Sequence, residues 1–226
     1  MLLTVYMKEP EQKAVACVIW MHGLGADAQD MAGLASELPI KAPVRHVFID
    51  APVRPVTLNN QMPMRAWYDI VGVNFTDKED YPGISQSEAI IREVFEGQLR
   101  EGFRSEQIFF AGFSQGGAMA LFTGLQTLSP IAGIIALSSY FPCASLCNVL
   151  LHKETPLFFG VGKFDPLVLP AWANLTIDTL QSKGFQNITR HDYPMEHSIC
   201  LQEINDLAAW LDTQVALIHH GDGSVK

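Results

Sequence analysis

Ile108-Phe109-Phe110-Ala111-Gly112-Phe113-Ser114-Gln115-Gly116-Gly117-Ala118-Met119-Ala120-Leu121 is the stretch that decides the fold. An apolar run of strand formers stops at Gly112, and helix-forming residues begin beyond Gly116. Between them stands G-x-S-x-G. A strand that turns into a helix this sharply tolerates only small neighbours, and it lifts the Ser114 hydroxyl above the sheet edge while the next N–H opens the helix. The motif recurs by chance as an ordinary Gly/Ser loop, but its strand-turn-helix setting is the context that a nucleophile requires.

The segments around it repeat the same alternation. Residues 14–21 (AVACVIWM) predict a strand buried on both faces, followed by the glycine-punctuated loop His22-Gly23-Leu24-Gly25 and a helix from Ala28 to Glu37 capped by Asp27. Val44–Ile49 is the next strand, so strand, helix and strand imply a parallel sheet with right-handed crossovers. Residues 52–82 break the pattern and are expected to form a long loop that belongs to a site, given their Met and aromatic content. Periodicity then predicts a helix over 85–100, the strand and helix flanking Ser114, strands at 131–138 and 157–161, a helix at 175–183 and a strand at 187–193 near the sheet edge. A closing amphipathic helix is expected over 199–218. The expected fold class is therefore α/β, a single domain over residues 1–226 with a flexible tail at 219–226.

Composition narrows the function. Apolar residues make up 48% and charged residues 17%, enough for a core, and the net charge of −9 argues against nucleic acid or an anionic membrane surface as partner. Four cysteines are too few for a disulfide framework, and Cys143 with Cys147 lacks a second pair at metal-ligand spacing, so reduced structural thiols are expected. Neither a signal peptide nor an apolar run long enough to span a membrane is visible, which is consistent with a cytoplasmic enzyme.

A serine hydroxyl needs a base within reach and a third group to orient that base. In doubly wound hydrolases the chain order is Ser, acid, His. Of the histidines after Ser114, His197 lies in the loop Pro194-Met195-Glu196-His197-Ser198 at the carboxyl end of a strand, whereas His191 falls inside the strand, and His219 and His220 near the end of the chain. Asp165, in the glycine turn after the 157–161 strand, shares that edge; Asp178 and Asp192 fit a helix surface and a strand. The candidate triad is Ser114, Asp165 and His197. Oxyanion donors are expected from the N–H of Gln115 and of Leu24. A Gly-rich loop before a helix is also a way to cradle phosphate, but no Gly-Lys-Ser/Thr follows the loop at Leu24. Met62, Met64, Trp67, Phe75, Leu167 and Val168 are candidates to line an acyl channel, the alternative for several of them being ordinary core.

Taken together, His22-Gly23-Leu24-Gly25, Ala51-Pro52-Val53, Ala66-Trp67-Tyr68-Asp69, Gly112-Phe113-Ser114-Gln115-Gly116-Gly117, Asp165-Pro166-Leu167-Val168 and His197-Ser198 resemble the phospholipase/carboxylesterase family, in order and over nearly the whole chain. The resemblance implies an α/β-hydrolase without a large cap domain, with no cofactor and often a homodimer, and it implies the same catalytic and oxyanion residues. The chain departs from the family at Ala26-Asp27 and at Pro194-Met195-Glu196. The expected function is a serine carboxylesterase that forms an acyl-serine, with lysophospholipase or acyl-protein thioesterase as alternatives. Its partner would be a small or lipid-like acyl ester, or an S-acylated protein. A catalytically silent binding module is the reading from another class.

Overall fold

A computed structural model describes residues 5–72 and 79–221, with the backbone alone over 219–221. In chain order the main elements are β1 (Val5–Lys8), β2 (Ala16–Met21), α1 (Ala28–Glu37), β3 (Val44–Ile49), β4 (Val53–Val56), β5 (Met62–Arg65), α2 (Tyr81–Arg100), β6 (Ile108–Phe113), α3 (Gln115–Leu125), β7 (Gly133–Leu137), β8 (Leu157–Gly162), α4 (Pro170–Ser182), β9 (Ile188–Tyr193) and α5 (Leu201–Gly221).

Among the described residues seven strands form one sheet in the order β1-β3-β2-β6-β7-β8-β9, and only β1 runs antiparallel to its neighbour. β4 and β5 form a separate antiparallel hairpin. The central strands are continuous apolar runs because helices cover both faces. Ile19, Phe110, Ile134 and Phe159 pack against α2, α3 and α4, while Trp20, Phe109, Ile135 and Phe158 pack against α1 and α5. The sheet reverses direction between β2 and β6: β2 leads outward through α1 to β3, and β6 leads the other way through α3 to β7. Such a switch point opens a crevice at the carboxyl ends of the strands. Among the described residues no large cap domain covers it.

Several boundaries depart from the sequence reading for local reasons. α2 begins at Tyr81, four residues before the expected start, because Asp80 caps it through the Gly83 N–H at 3.0 Å and Pro82 is tolerated in a first turn. α4 likewise starts at Pro170, where Pro at the first position costs no hydrogen bond. The 52–82 segment expected to be loop contains the β4–β5 hairpin and the first turn of α2; its residues 73–78, Phe75 included, lie outside the described residues. β1 is an exposed four-residue edge strand with no apolar alternation to announce it. At the other end α5 carries helical backbone to Gly221, into the stretch expected to be a tail, and 222–226 lie outside the described residues. β9 takes the sheet edge, as expected.

Candidate active site

The turn after β6 is shaped by two close backbone approaches. A Cβ on Gly112 would lie 2.3 Å from the Gly116 carbonyl carbon, and one on Gly116 would lie 2.1 Å from the Met21 carbonyl oxygen, so neither position accepts a side chain. Ser114 between them adopts φ 54°, ψ −120°, a strained conformation for a residue with a side chain. The strain is held in place by hydrogen bonds: the Ser114 N–H donates to Leu137 O at 2.9 Å, and Ser139 Oγ donates to Ser114 O at 2.7 Å.

The Ser114 hydroxyl meets His197, whose Nε2 is 2.9 Å from Oγ, and His197 Nδ1 lies 2.7 Å from Asp165 Oδ2. These three come from the ends of β6, β8 and β9. The two loops that carry Asp165 and His197 are tied to each other. Lys163 N–H donates to Tyr193 O at 2.8 Å and Phe164 N–H to Met195 O at 3.0 Å. The other oxygen of Asp165, Oδ1, accepts the N–H groups of Leu167 and Val168, both at 2.8 Å, which fixes the carboxylate plane and leaves Oδ2 for the imidazole. Asp165 is only 3% exposed, and Phe113 lies against the His197 ring with centroids 4.8 Å apart. His191, the competing histidine, pairs with Asp206 on α5 and stacks on Phe158, away from Ser114.

The loop after β2 reaches the same point. A Cβ on Gly23 would lie 3.5 Å from Ser114 Cβ, so the backbone at Gly23 passes close beside the Ser114 side chain. His22 is fully buried, and burial holds its pKa below the usual histidine range. Its Nε2 accepts the Ala51 N–H at 3.0 Å, leaving the proton on Nδ1 to donate to Gly23 O at 2.7 Å. Because a trans peptide sets C=O and N–H on opposite sides, the Leu24 N–H is turned away from His22. Trp67 braces the loop from behind, its Nε1–H donating to His22 O at 2.8 Å. Gln115 links that bracing to the nucleophile turn: its Oε1 accepts the Trp67 N–H at 2.9 Å and its Nε2 donates to Tyr68 O at 2.8 Å. Gln115 also opens α3, so its own N–H has no partner within the helix. This network is not legible in the sequence beyond its visible trace, His22 ahead of the Gly23-Leu24-Gly25 turn.

A cavity of about 610 Å³ surrounds Ser114 and draws walls from both faces of the sheet. On the α2–α4 side it is lined by Leu58, Tyr68, Ile70, Tyr140, Leu167 and Val168. On the α1–α5 side it is lined by Met31, Leu34, Phe113, Ile199 and Ile204, with Asp30 at its edge. Burial raises the pKa of the Tyr68 and Tyr140 hydroxyls, which stand 3.0 Å apart, so the wall carries no phenolate charge.

Of the six residues expected along an acyl channel, the cavity gathers Leu167 and Val168. Trp67 is a correction: it is fully buried and its indole is spent on the His22 carbonyl. Met62 is a second, because it sits on β5 with 58% of its surface exposed, outside the cavity wall. Met64, also on β5, packs toward Gly25 and is not part of the wall. Phe75 lies outside the described residues.

The chain is similar to known proteins over most of its length. The chain is 36% identical over 219 residues to acyl-protein thioesterase 1 of Mycosarcoma maydis, covering 88% of this chain and 91% of that protein. It is 35% identical over 210 residues to acyl-protein thioesterase 1 of Neurospora crassa, covering 87% and 85%. Among solved structures the fold matches Arabidopsis thaliana SOBER1 with a TM-score of 0.82 at 24% identity, covering 88% of this chain and 99% of that one. It matches Zea mays acyl-protein thioesterase 2 with a TM-score of 0.80 at 23% identity, covering 94% and 99%. The family model described as Phospholipase/Carboxylesterase matches residues 4–215, and the chain accordingly belongs to that family of α/β-hydrolases, enzymes that cleave ester and thioester bonds.

Proposed function

We propose that this enzyme is an acyl-protein thioesterase, which releases fatty acyl groups from cysteine thiols through an acyl-serine intermediate. Ser114 is the nucleophile in this reading, His197 the general base and then acid, and Asp165 the group that holds the imidazole tautomer. The Leu24 and Gln115 N–H groups receive the oxyanion. The observation that carries it is the chain from Ser114 Oγ to His197 to Asp165, at 2.9 and 2.7 Å, opening into a cavity with apolar walls. An acyl chain takes the side lined by Leu58, Ile70, Leu167 and Val168, where it finds aliphatic contact and few polar groups to satisfy. The first reading from the sequence, a carboxylesterase, yields to the thioesterase because the curated relatives at 31–36% identity carry that name. All four cysteines are free, and among the described residues no helix is long and apolar enough to cross a membrane; both fit action on acyl-proteins in the cytoplasm.

The test is hydrolysis of an S-palmitoyl-cysteine peptide beside p-nitrophenyl esters from acetate to palmitate. Turnover of the peptide by the wild type and its loss in Ser114→Ala is the expected outcome. Cleavage of the short esters without cleavage of the peptide would return the enzyme to the short-chain carboxylesterases.

A further inference from the structure

The cavity continues past the catalytic dyad onto the opposite face of the sheet. We infer that this second half, the trough between α1 and the start of α5, receives the leaving group, and that it selects the apolar flank of an S-acylated peptide over a phospholipid headgroup. The inference rests on the thioesterase reading and specifies its substrate.

The direction follows from the chemistry of acylation. Ser114 Oγ bonds to the acyl carbon as the carbon–sulfur bond breaks, and the serine proton passes through His197 Nε2 to the departing sulfur. The sulfur must therefore sit on the Nε2 side of the acyl carbon, with the oxyanion at the Leu24 and Gln115 donors and the acyl chain in the remaining direction. His197 leans on Phe113, whose side chain packs with the α1–α5 core rather than with the α2–α4 core. From there the wall runs through Ile199 and Ile204 to Met31 and Leu34, all of that same core. Tyr68, Ile70, Tyr140 and Val168 belong to the other core. Ser114 thus stands on the divide between two apolar compartments, whereas hydrolysis of a small thioester needs only one.

The walls of the trough also limit its occupant. They are aliphatic or aromatic apart from Ser198 and the edge residue Asp30, whose Oδ2 accepts the Asp27 N–H at 3.0 Å. Among the described residues neither Lys nor Arg lines the cavity, and the chain carries −9 overall. A phosphodiester placed there would lose water with no cation to replace it. A peptide with an aliphatic residue beside the acylated cysteine, and a basic one beyond it near Asp30, finds apolar cover and an opposite charge.

Two N-acetylated peptides with the same S-octanoyl cysteine separate the possibilities, one carrying Leu next to the cysteine and Lys beyond, the other Gly and Glu. Both form the same acyl-enzyme, so the preference belongs to kcat/KM and is absent from the rate at which the preformed octanoyl-enzyme releases octanoate. The expected result is about a tenfold higher kcat/KM for the Leu/Lys peptide, the discrimination that one well-filled apolar site gives. Leu34→Ala and, independently, Ile204→Ala should each shrink that ratio several-fold. Equal kcat/KM for the two peptides, a ratio untouched by both substitutions, or faster cleavage of 1-octanoyl-lysophosphatidylcholine than of either peptide would overturn the trough and leave the thioesterase reading standing. Failure to cleave either peptide while p-nitrophenyl octanoate is hydrolysed would overturn both.

Discussion

His22 Nδ1 lies 2.7 Å from the Gly23 carbonyl oxygen, and this contact sets the direction in which the next peptide N–H points. With Nε2 occupied by the Ala51 N–H at 3.0 Å, only the neutral ring protonated on Nδ1 satisfies both partners. A buried side chain thereby fixes the orientation of the Leu24 N–H, the proposed oxyanion donor.

His22→Ala is therefore expected to act on catalysis more than on binding. With the Gly23 peptide released, kcat should fall by about 10- to 100-fold, below the loss from deleting an oxyanion donor outright, while KM for a long-chain thioester changes little. The orphaned Ala51 N–H should lower stability by about 1–3 kcal/mol. Steady-state kinetics and thermal melts measure the two effects separately. Because burial lowers the His22 pKa, the neutral ring contributes stability above the ordinary histidine range, and this contribution is lost as pH falls through it.

Asp165→Asn keeps the shape of the loop but favours the wrong imidazole tautomer, since an amide nitrogen facing His197 cannot accept from Nδ1–H. A fall in kcat of about 10³- to 10⁴-fold is expected, with the melting temperature nearly unchanged. Pre-steady-state acylation by a chromogenic ester measures it.

Glu203 offers a test of pH-dependent stability away from the reacting atoms. It is fully buried near the start of α5, beneath Gly160 of β8, where a Cβ would come within 1.8 Å of its Oε1, and no side chain among the described residues forms a hydrogen bond or ion pair with its carboxylate. Burial pushes its pKa up from 4.5 to about 8. A raised carboxyl pKa means the folded protein binds this proton more tightly than the unfolded chain. The resulting stability is complete below about pH 4.5 and is lost as pH rises toward 8. Glu203→Gln should be close to wild type at pH 5 and more stable at pH 8.5, by on the order of 2–4 kcal/mol. Melting curves at the two pH values decide it; an equal difference at both would contradict the buried neutral acid.

Much of this site is legible in the sequence because its signals are local. Gly112 and Gly116 mark the turn around Ser114; Asp165 and His197 each follow a strand, and the parallel sheet brings such loops to one edge. The resemblance to the family rests on those same short motifs. What stayed hidden depends on contacts between distant segments. Trp67 reads equally well as pocket or core until its indole is seen on the His22 carbonyl. Met31 and Leu34 lie on a helix that the sequence announces, but it takes the packing of α5 into the same core to make them cavity wall. Pro82 and Pro170 look like helix breakers, yet each lies in the first turn, where proline costs least.

Ser114 is held 2.9 Å from His197 in a conformation that few residues other than glycine adopt, and the central claim is that its hydroxyl carries the acyl group during turnover. Rapid acid quenching of the enzyme with an S-octanoyl-cysteine peptide, followed by digestion and mass spectrometry, tests that most directly. The expected result is one octanoyl group on the peptide containing Ser114, formed within the first turnover, and none in Ser114→Ala. An octanoyl group on another residue, or undiminished turnover by Ser114→Ala, would contradict it.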